Sequence, residues 1–312
     1  MWQKKGLVYS SNGEFYWNKT HAQVTCVDDG YADKIRIIYS ARDEKGRCMP
    51  SYIDVSKEDP QKVLYVHDKP ILELGVIGMF DDCGIMPTWL LHHPNGERWL
   101  YYIGWTVRNT IPYHNSIGIA VSRDGGNTYT KMFDGPVINT TPLEPLFSGN
   151  TCVLYDEGIF KMWYLNCTKW EEINGKIEPF YNIKYGESKD GIHWERNNTV
   201  AIDYKDENEG GLSRPCVLKE QDGSYIMWFS YRAKTLYRGE KLENSYRISV
   251  AVSADGIHWE RKDGESGIKL NDTGWDSEMI AYPMVFTVKS QKYMYYNGNG
   301  FGRSGFGLAV HN

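Results

Sequence analysis

The stretch YNIKYGESKDGIHWER, Tyr181 to Arg196, returns as YRISVAVSADGIHWER from Tyr246 to Arg261, and more loosely as NSIGIAVSRDGGNTYTK from Asn115 to Lys131. Each copy reads as a strand of alternating polar and apolar residues, then Ser-x-Asp-Gly, then a second strand opened by an aromatic residue. Asp-Gly between two such runs predicts a tight β-hairpin, because glycine takes the positive φ of the turn at no steric cost.

What surrounds the copies is repeated as well. An aromatic strand precedes each one: WLYYIGW from Trp99, FKMWYLN from Phe160 and SYIMWFSYR from Ser224, with KIRIIYSARD from Lys34 and KYMYYNGNG from Lys292 completing a set of five. Before each of these lies an apolar strand: THAQVTCV from Thr20, CGIMPTWLL from Cys83, SGNTCVLY from Ser148, SRPCVLK from Ser213 and AYPMVFTV from Ala281. The period is roughly 65 residues and no segment carries helical periodicity beyond a turn or two. The pattern predicts an all-β chain, a five-bladed β-propeller of four-stranded antiparallel blades. The fifth unit stops after FGLAVHN, and QKKGLVY from Gln3 is available as its missing outer strand, closing the ring. With no linker or shift in composition, residues 1–312 are expected to form a single domain.

Composition narrows the partners. A formal charge of −5 gives no electrostatic case for nucleic acid or anionic membrane, and no apolar run approaches a signal peptide or a membrane span. A cytoplasmic location without membrane insertion is expected. The six cysteines are scattered singly, as buried free thiols would be; no zinc spacing and no P-loop is present, so neither metal nor cofactor is expected. Oligomeric state is left open.

Ser-x-Asp-Gly-Ile-x-Trp after a third strand, with Tyr-x-Ala-Arg-Asp (Tyr39 to Asp43) ending the first aromatic strand, resembles the five-bladed glycosidase superfamily, which holds glycoside hydrolase families 43 and 32 and the mannoside phosphorylases of family 130. The resemblance covers nearly the whole chain as repeats. It implies carbohydrate metabolism, with a small saccharide or saccharide-phosphate as ligand. One departure matters: hydrolases of that group carry an aspartate on the first apolar strand, where this chain reads THAQVT.

Strand direction locates the pocket. The first strand of a unit starts, the second ends and the third starts at one end of the ring. The Ser-x-Asp-Gly turns lie at the other end, so Asp124, Asp190 and Asp255 are expected to be structural and Trp194 and Trp259 to pack blades. The pocket end collects His21, Gln23, Asp81, Asp82, Glu144, Arg214, Glu278 and Tyr282 from first strands. Glu209 and Asp276 join that set, and from second strands it collects Arg42, Asp43, Trp105, Arg108, Asn166, Trp170, Tyr231, Arg232, Asn297, Asn299 and Arg303. TVRNTIPYH, CTKWEEINGKIEP and AKTLYRGEKLEN are expected as rim loops.

Glycosidic cleavage needs one carboxylic acid to protonate the leaving oxygen and one carboxylate to activate water or attack. Aligning Pro87, Pro215 and Pro283 puts Asp82 and Glu278 at equivalent places. These two are the expected catalytic pair and Asp43 the third candidate. The arginines match an anionic group, since guanidinium binds phosphate or carboxylate through paired hydrogen bonds. The sequence therefore points to an enzyme, a glycoside hydrolase acting on a short or activated, anionic saccharide in the axial pocket. A phosphorylase or sugar transferase using phosphate or an anionic donor is one alternative, and a non-catalytic glycan-binding propeller another.

Overall fold

A computed structural model describes residues 1–312. After β1 (Trp2–Tyr9), the strands follow in groups of four. The first group is β2 (Thr20–Asp28), β3 (Lys34–Arg42), β4 (Cys48–Ser56) and β5 (Val63–Val66). The second is β6 (Gly84–His92), β7 (Arg98–Thr106), β8 (His114–Ser122) and β9 (Thr130–Lys131). The third is β10 (Ser148–Asp156), β11 (Ile159–Ile173), β12 (Lys176–Ser188) and β13 (Glu195–Ile202). The fourth is β14 (Glu209–Lys219), β15 (Tyr225–Ala233), β16 (Arg247–Ser253) and β17 (Glu260–Arg261). The last is β18 (Ala281–Val288), β19 (Gln291–Asn297) and β20 (Phe306–His311), to which β1 adds as the edge strand.

Pairing within each group is antiparallel and in sequence order. Short parallel contacts, Cys48 with Gly84 and Tyr181 with Gly211, join the first group to the second and the third to the fourth. The opening strands pack in a cycle: β2 on β6, β6 on β10, β10 on β14, β14 on β18, and β18 back on β2. The chain is thus an all-β protein with a propeller-like arrangement and only single turns of helix.

Two expectations are corrected. The Asp-Gly connections are longer than two-residue turns: residues 189–194 separate β12 from β13. Within that loop Asp190 Oδ1 accepts the backbone N–H of Ile192 and His193, and Asp255 does the same for Ile257 and His258. Those carboxylates organise the loop, as expected, by satisfying amides that a tighter turn would pair across the strands. CTKWEEINGKIEP, expected as a loop, instead continues β11 and β12 as one long hairpin. Its turn is Asn174–Gly175, both at positive φ, the geometry that Asn-Gly favours.

The Asp-Gly loops also fasten neighbouring groups. Tyr101 Oη donates to Gly191 O at 2.8 Å, Trp163 Nε1 to Gly256 O at 2.7 Å and Arg36 Nη1 to Gly126 O at 2.6 Å. Gly191 has φ of 74°, and a Cβ there would sit 3.0 Å from Tyr101 Oη, so both backbone conformation and close approach call for glycine. Trp194 and Trp259 pack edge-on against Tyr101 and Trp163. One connected cluster of buried apolar side chains includes Ile37, Tyr101, Trp163, Trp228 and Tyr295, a member from every group.

Candidate active site

Where the opening strands begin, their ladders are interrupted. Register shifts fall at Gln23/Cys26, Pro87/Trp89, Gly149/Thr151, Ser213/Cys216 and Ala281/Met284. Proline has no N–H to donate at Pro87, Pro215 and Pro283, and Val24, Asn150, Arg214 and Tyr282 take positive φ there. Such bulges re-aim side chains, and five opening strands contribute Gln23, Val24, Met86, Asn150, Ser213 and Tyr282 to a cavity of about 450 Å³. That volume suits a small saccharide.

Third strands line the same cavity with Asn115 and Tyr181, and Tyr246 joins them from just ahead of β16; the three open the repeated phrases. Second strands add Arg42, Ile103, Trp105 and Leu165, and connecting segments add Tyr113, Phe147, Tyr237, Arg238 and Phe301. The wall is aromatic, amide-bearing and cationic, and no carboxylate belongs to it. Arg42 Nη2 lies 3.3 Å from Gln23 Oε1, and its buried Nε has no partner. Arg238 is neutralised by Glu178 through contacts of 2.6 and 2.8 Å. Burial works to raise the Glu178 carboxyl, but hydrogen bonds from Arg238 and Tyr237 outweigh it and hold the pKa below the usual range. Burial pushes the Tyr181 and Tyr282 phenols well above the ordinary tyrosine range, so both are neutral donors.

Of the residues expected at the pocket, Gln23, Arg42, Trp105 and Tyr282 line it. The three expected catalytic carboxylates do not. Asp43 Oδ1 accepts the amides of Lys45 and Arg47 and its Oδ2 pairs with Arg47 at 2.8 Å, so it is consumed in closing the turn after β3. Glu278 is exposed, with only its backbone engaged, by Asn299 and Arg247. Asp82 stands just before β6: Oδ2 accepts the Gly78 amide at 2.9 Å, while Oδ1 is buried without a partner.

Asp81 and Glu144 stand outside the lining, held in ion pairs by a pattern that recurs around the molecule. Asp81 pairs with Lys131 at 2.6 Å and accepts from Tyr102 Oη. Glu144 pairs with Arg196 at 2.8 Å and Lys184 at 3.3 Å and accepts from Tyr164 Oη. Asp276 pairs with Lys4 at 2.6 Å and accepts from Tyr296 Oη, and Glu209 takes Arg261 in a two-pronged pair. Each acid stands just before or at the start of an opening strand, and Lys131, Arg196, Lys4 and Arg261 come from the outermost strands, so the pairs tie the inside of a group to its edge.

The remaining candidates divide by depth. Arg214 is fully buried beneath the cavity, donating to the carbonyls of Thr88 and Thr25. Arg232 is buried behind the wall, and Trp170 packs on Tyr113 and Phe147 at the rim. Asn166 is buried with Oδ1 unpartnered, and Tyr231 is half-buried with Lys205 over its ring. Asn297 and Asn299 hold backbone: Asn297 bonds Val24, Ala22 and Gly305, and Asn299 bonds Glu278, Met279 and Gly274. Arg108 and Arg303 are exposed and outside the lining. His21 is half-buried beside it; burial, then the charges of Arg42 and Arg303, push its pKa down to about 3, so the imidazole is neutral.

Sequence reasoning missed Asn115, Asn150, Tyr181, Tyr237, Arg238 and Tyr246. A signal was present for three of them. Asn115, Tyr181 and Tyr246 hold the same place in the repeated phrase, at the strand end that faces the pocket.

No family model matches the chain. The chain is 29% identical to 1,2-beta-oligomannan phosphorylase of Thermoanaerobacter sp. (strain X514) over 135 residues, 42% of this chain and 40% of that one. Among solved structures, a thermostable family-43 glycoside hydrolase matches with a TM-score of 0.66 at 16% identity, covering 93% of this chain and 88% of that chain. The Bombyx mori GH32 beta-fructofuranosidase BmSUC1 matches with a TM-score of 0.60 at 13% identity, covering 95% and 62%. These likenesses place the fold among glycoside hydrolase propellers. Uncharacterized protein MT1551 of Mycobacterium tuberculosis (strain CDC 1551 / Oshkosh) is 36% identical over 309 residues, 99% of this chain and 98% of that protein. The chain therefore belongs to the same family as MT1551, carried on the propeller-like fold of the glycoside hydrolases.

Proposed function

We propose that the chain is a carbohydrate-active enzyme built as a five-bladed propeller, and that it cleaves a glycosidic bond with phosphate as the attacking group. The observation that carries this reading is the cavity wall, in which Arg42 presents a guanidinium without a carboxylate partner among amides and phenols. Hydrolysis calls for a carboxylate to activate water, and the wall offers none. Phosphate brings its own anionic oxygen and needs only a site of positive charge and donors. The partial likeness to an oligomannan phosphorylase supports the same choice.

In this reading phosphate attacks the anomeric carbon while the leaving oxygen takes a proton that originates on Asp82, which stands outside the lining just before β6 with one oxygen free and passes the proton on through a sugar hydroxyl or water. The phosphate proton, lost as the ester forms, restores the acid. The products are a sugar phosphate and a saccharide with a new hydroxyl end, so protons balance. The test is incubation of the protein with manno-oligosaccharides with and without phosphate, followed by chromatography of sugar phosphate. Phosphate-dependent product that falls at least a hundredfold in Asp82→Asn is expected; release of free sugar without phosphate would return the reading to hydrolysis. Saccharide binding by calorimetry with no turnover of either kind would instead favour a binding propeller, a reading that rests on Asp43 being held in its turn and Glu278 standing exposed outside the lining.

A further inference from the structure

The inner wall of the cavity hides a charge with no counter-charge. Arg232 is 1% exposed. Its Nη1 donates to Ala233 O and its Nη2 to Pro179 O, and its guanidinium lies 3.8 Å from the Tyr237 ring centroid and 4.7 Å from that of Tyr181. No carboxylate pairs with it; the nearby Glu178 is taken by Arg238 and Tyr237. The remaining nitrogen, Nε, donates to Tyr181 Oη at 2.9 Å. Tyr181 Oη is in turn hydrogen-bonded to Tyr246 Oη, for which no other protein partner exists.

The direction of this chain follows from the inventory of donors. Guanidinium only donates, so Tyr181 Oη accepts from Arg232. An accepted bond from a cation draws electron density off the oxygen and makes the Tyr181 O–H the stronger donor of the two phenols. Tyr181 therefore donates to Tyr246, and the Tyr246 proton is left with nothing in the protein to meet. Tyr246 lines the cavity.

We propose that Arg232, Tyr181 and Tyr246 form a one-way hydrogen-bond relay that holds the Tyr246 hydroxyl as a donor toward the cavity and selects an anionic oxygen on the bound ligand. The inference rests on reading this cavity as the ligand site. A phosphate and a sugar carboxylate share the required chemistry. A neutral hydroxyl would accept the same bond without the benefit of the buried charge, since hydrogen bonds to charged groups are the stronger kind. Tyr246 is the contact residue; Tyr181 and Arg232 are positioning residues that act through it.

The experiment has a ligand-free arm and a binding arm. With ¹³Cζ-tyrosine labelling, the Tyr246 resonance is assigned by its loss in Tyr246→Phe. Movement of that resonance in Tyr181→Phe and in Arg232→Lys is expected, and an unmoved resonance in both overturns the relay whatever the ligand. In calorimetry, inorganic phosphate, glucuronate and glucose are titrated into wild type, Tyr246→Phe and Tyr181→Phe. A loss of about ten- to a hundredfold for the anion that binds is expected in both variants, with glucose changed little. Tyr181→Phe decides the point, because it leaves the Tyr246 hydroxyl in place and a packing role would leave anion affinity intact. Phosphate binding alone identifies the phosphate source, glucuronate binding alone the carboxylate source. Wild type that binds neither anion overturns the selectivity, and an intact resonance coupling in that case separates the failure of the ligand reading from that of the relay.

Discussion

Replacing Glu144 with glutamine separates a structural carboxylate from a ligand-binding one. The Glu144 side chain is fully buried, and its partners Arg196 and Lys184 are 7% and 6% exposed in their side chains, so solvent screens little of the interaction. Removing one partner of a buried ion pair costs about 3–5 kcal/mol, because the other charge is left without compensation. Unfolding entropy of about 2.1 cal/mol/K per residue gives about 0.7 kcal/mol/K for a chain of this length, so the loss corresponds to a melting temperature lower by about 4–7 °C. Scanning calorimetry of Glu144→Gln beside Glu278→Gln makes the comparison. The exposed Glu278 should change stability by less than about 0.5 kcal/mol. Ligand affinity of folded Glu144→Gln should equal that of wild type. An unchanged melting temperature with lost ligand binding would refute the assignment and return Glu144 to the cavity.

Tyr101→Phe removes one bond from a neighbouring Asp-Gly loop with the ring kept and should cost about 1 kcal/mol in denaturant unfolding, whereas Trp163→Phe removes another and also empties part of a fully buried site, so it should cost about 2–4 kcal/mol, with the double variant near the sum because the two loops are distinct. A pH dependence is expected from His21: its folded pKa lies near 3, below the ordinary value of 6.5, so its contribution is complete above pH 6.5 and is lost as pH falls from there toward 3. His21→Gln should flatten the slope of stability between pH 6.5 and 5, where carboxylates contribute little; an unchanged slope counts against a buried neutral imidazole.

The repeated phrase made the strands and their grouping legible, because alternation and Asp-Gly are local signals. The length of the loops was less so: Asp190 and Asp255 gather amides two and three residues ahead, which opens the turn beyond the two residues their dipeptide suggests. The ion-pair partners of the acids were not legible, for a non-local reason. Asp276 meets Lys4 across almost the entire chain, and Glu209 meets Arg261 from the far edge of its group. Nothing in the surrounding sequence announces such partners, so a carboxylate ahead of a strand looks free. Arg42 and Gln23 were legible because strand direction alone brings them to one end. Tyr181 and Tyr246 open the repeated phrases at that same end, but a reading weighted toward charge passed over phenols.

The pairing of β1 with β20 sets an order of assembly. Synthesis produces Phe306–His311 long after Trp2–Tyr9, so β1 stays without its partner until β20 has emerged. During that interval it is an edge exposed to any other strand, and Lys4 and Lys5 place charge on it, which discourages wrong pairing. Because Lys4 also serves Asp276, the arrival of this strand both completes the sheet and brings a counter-charge to a buried acid that otherwise has only neutral donors.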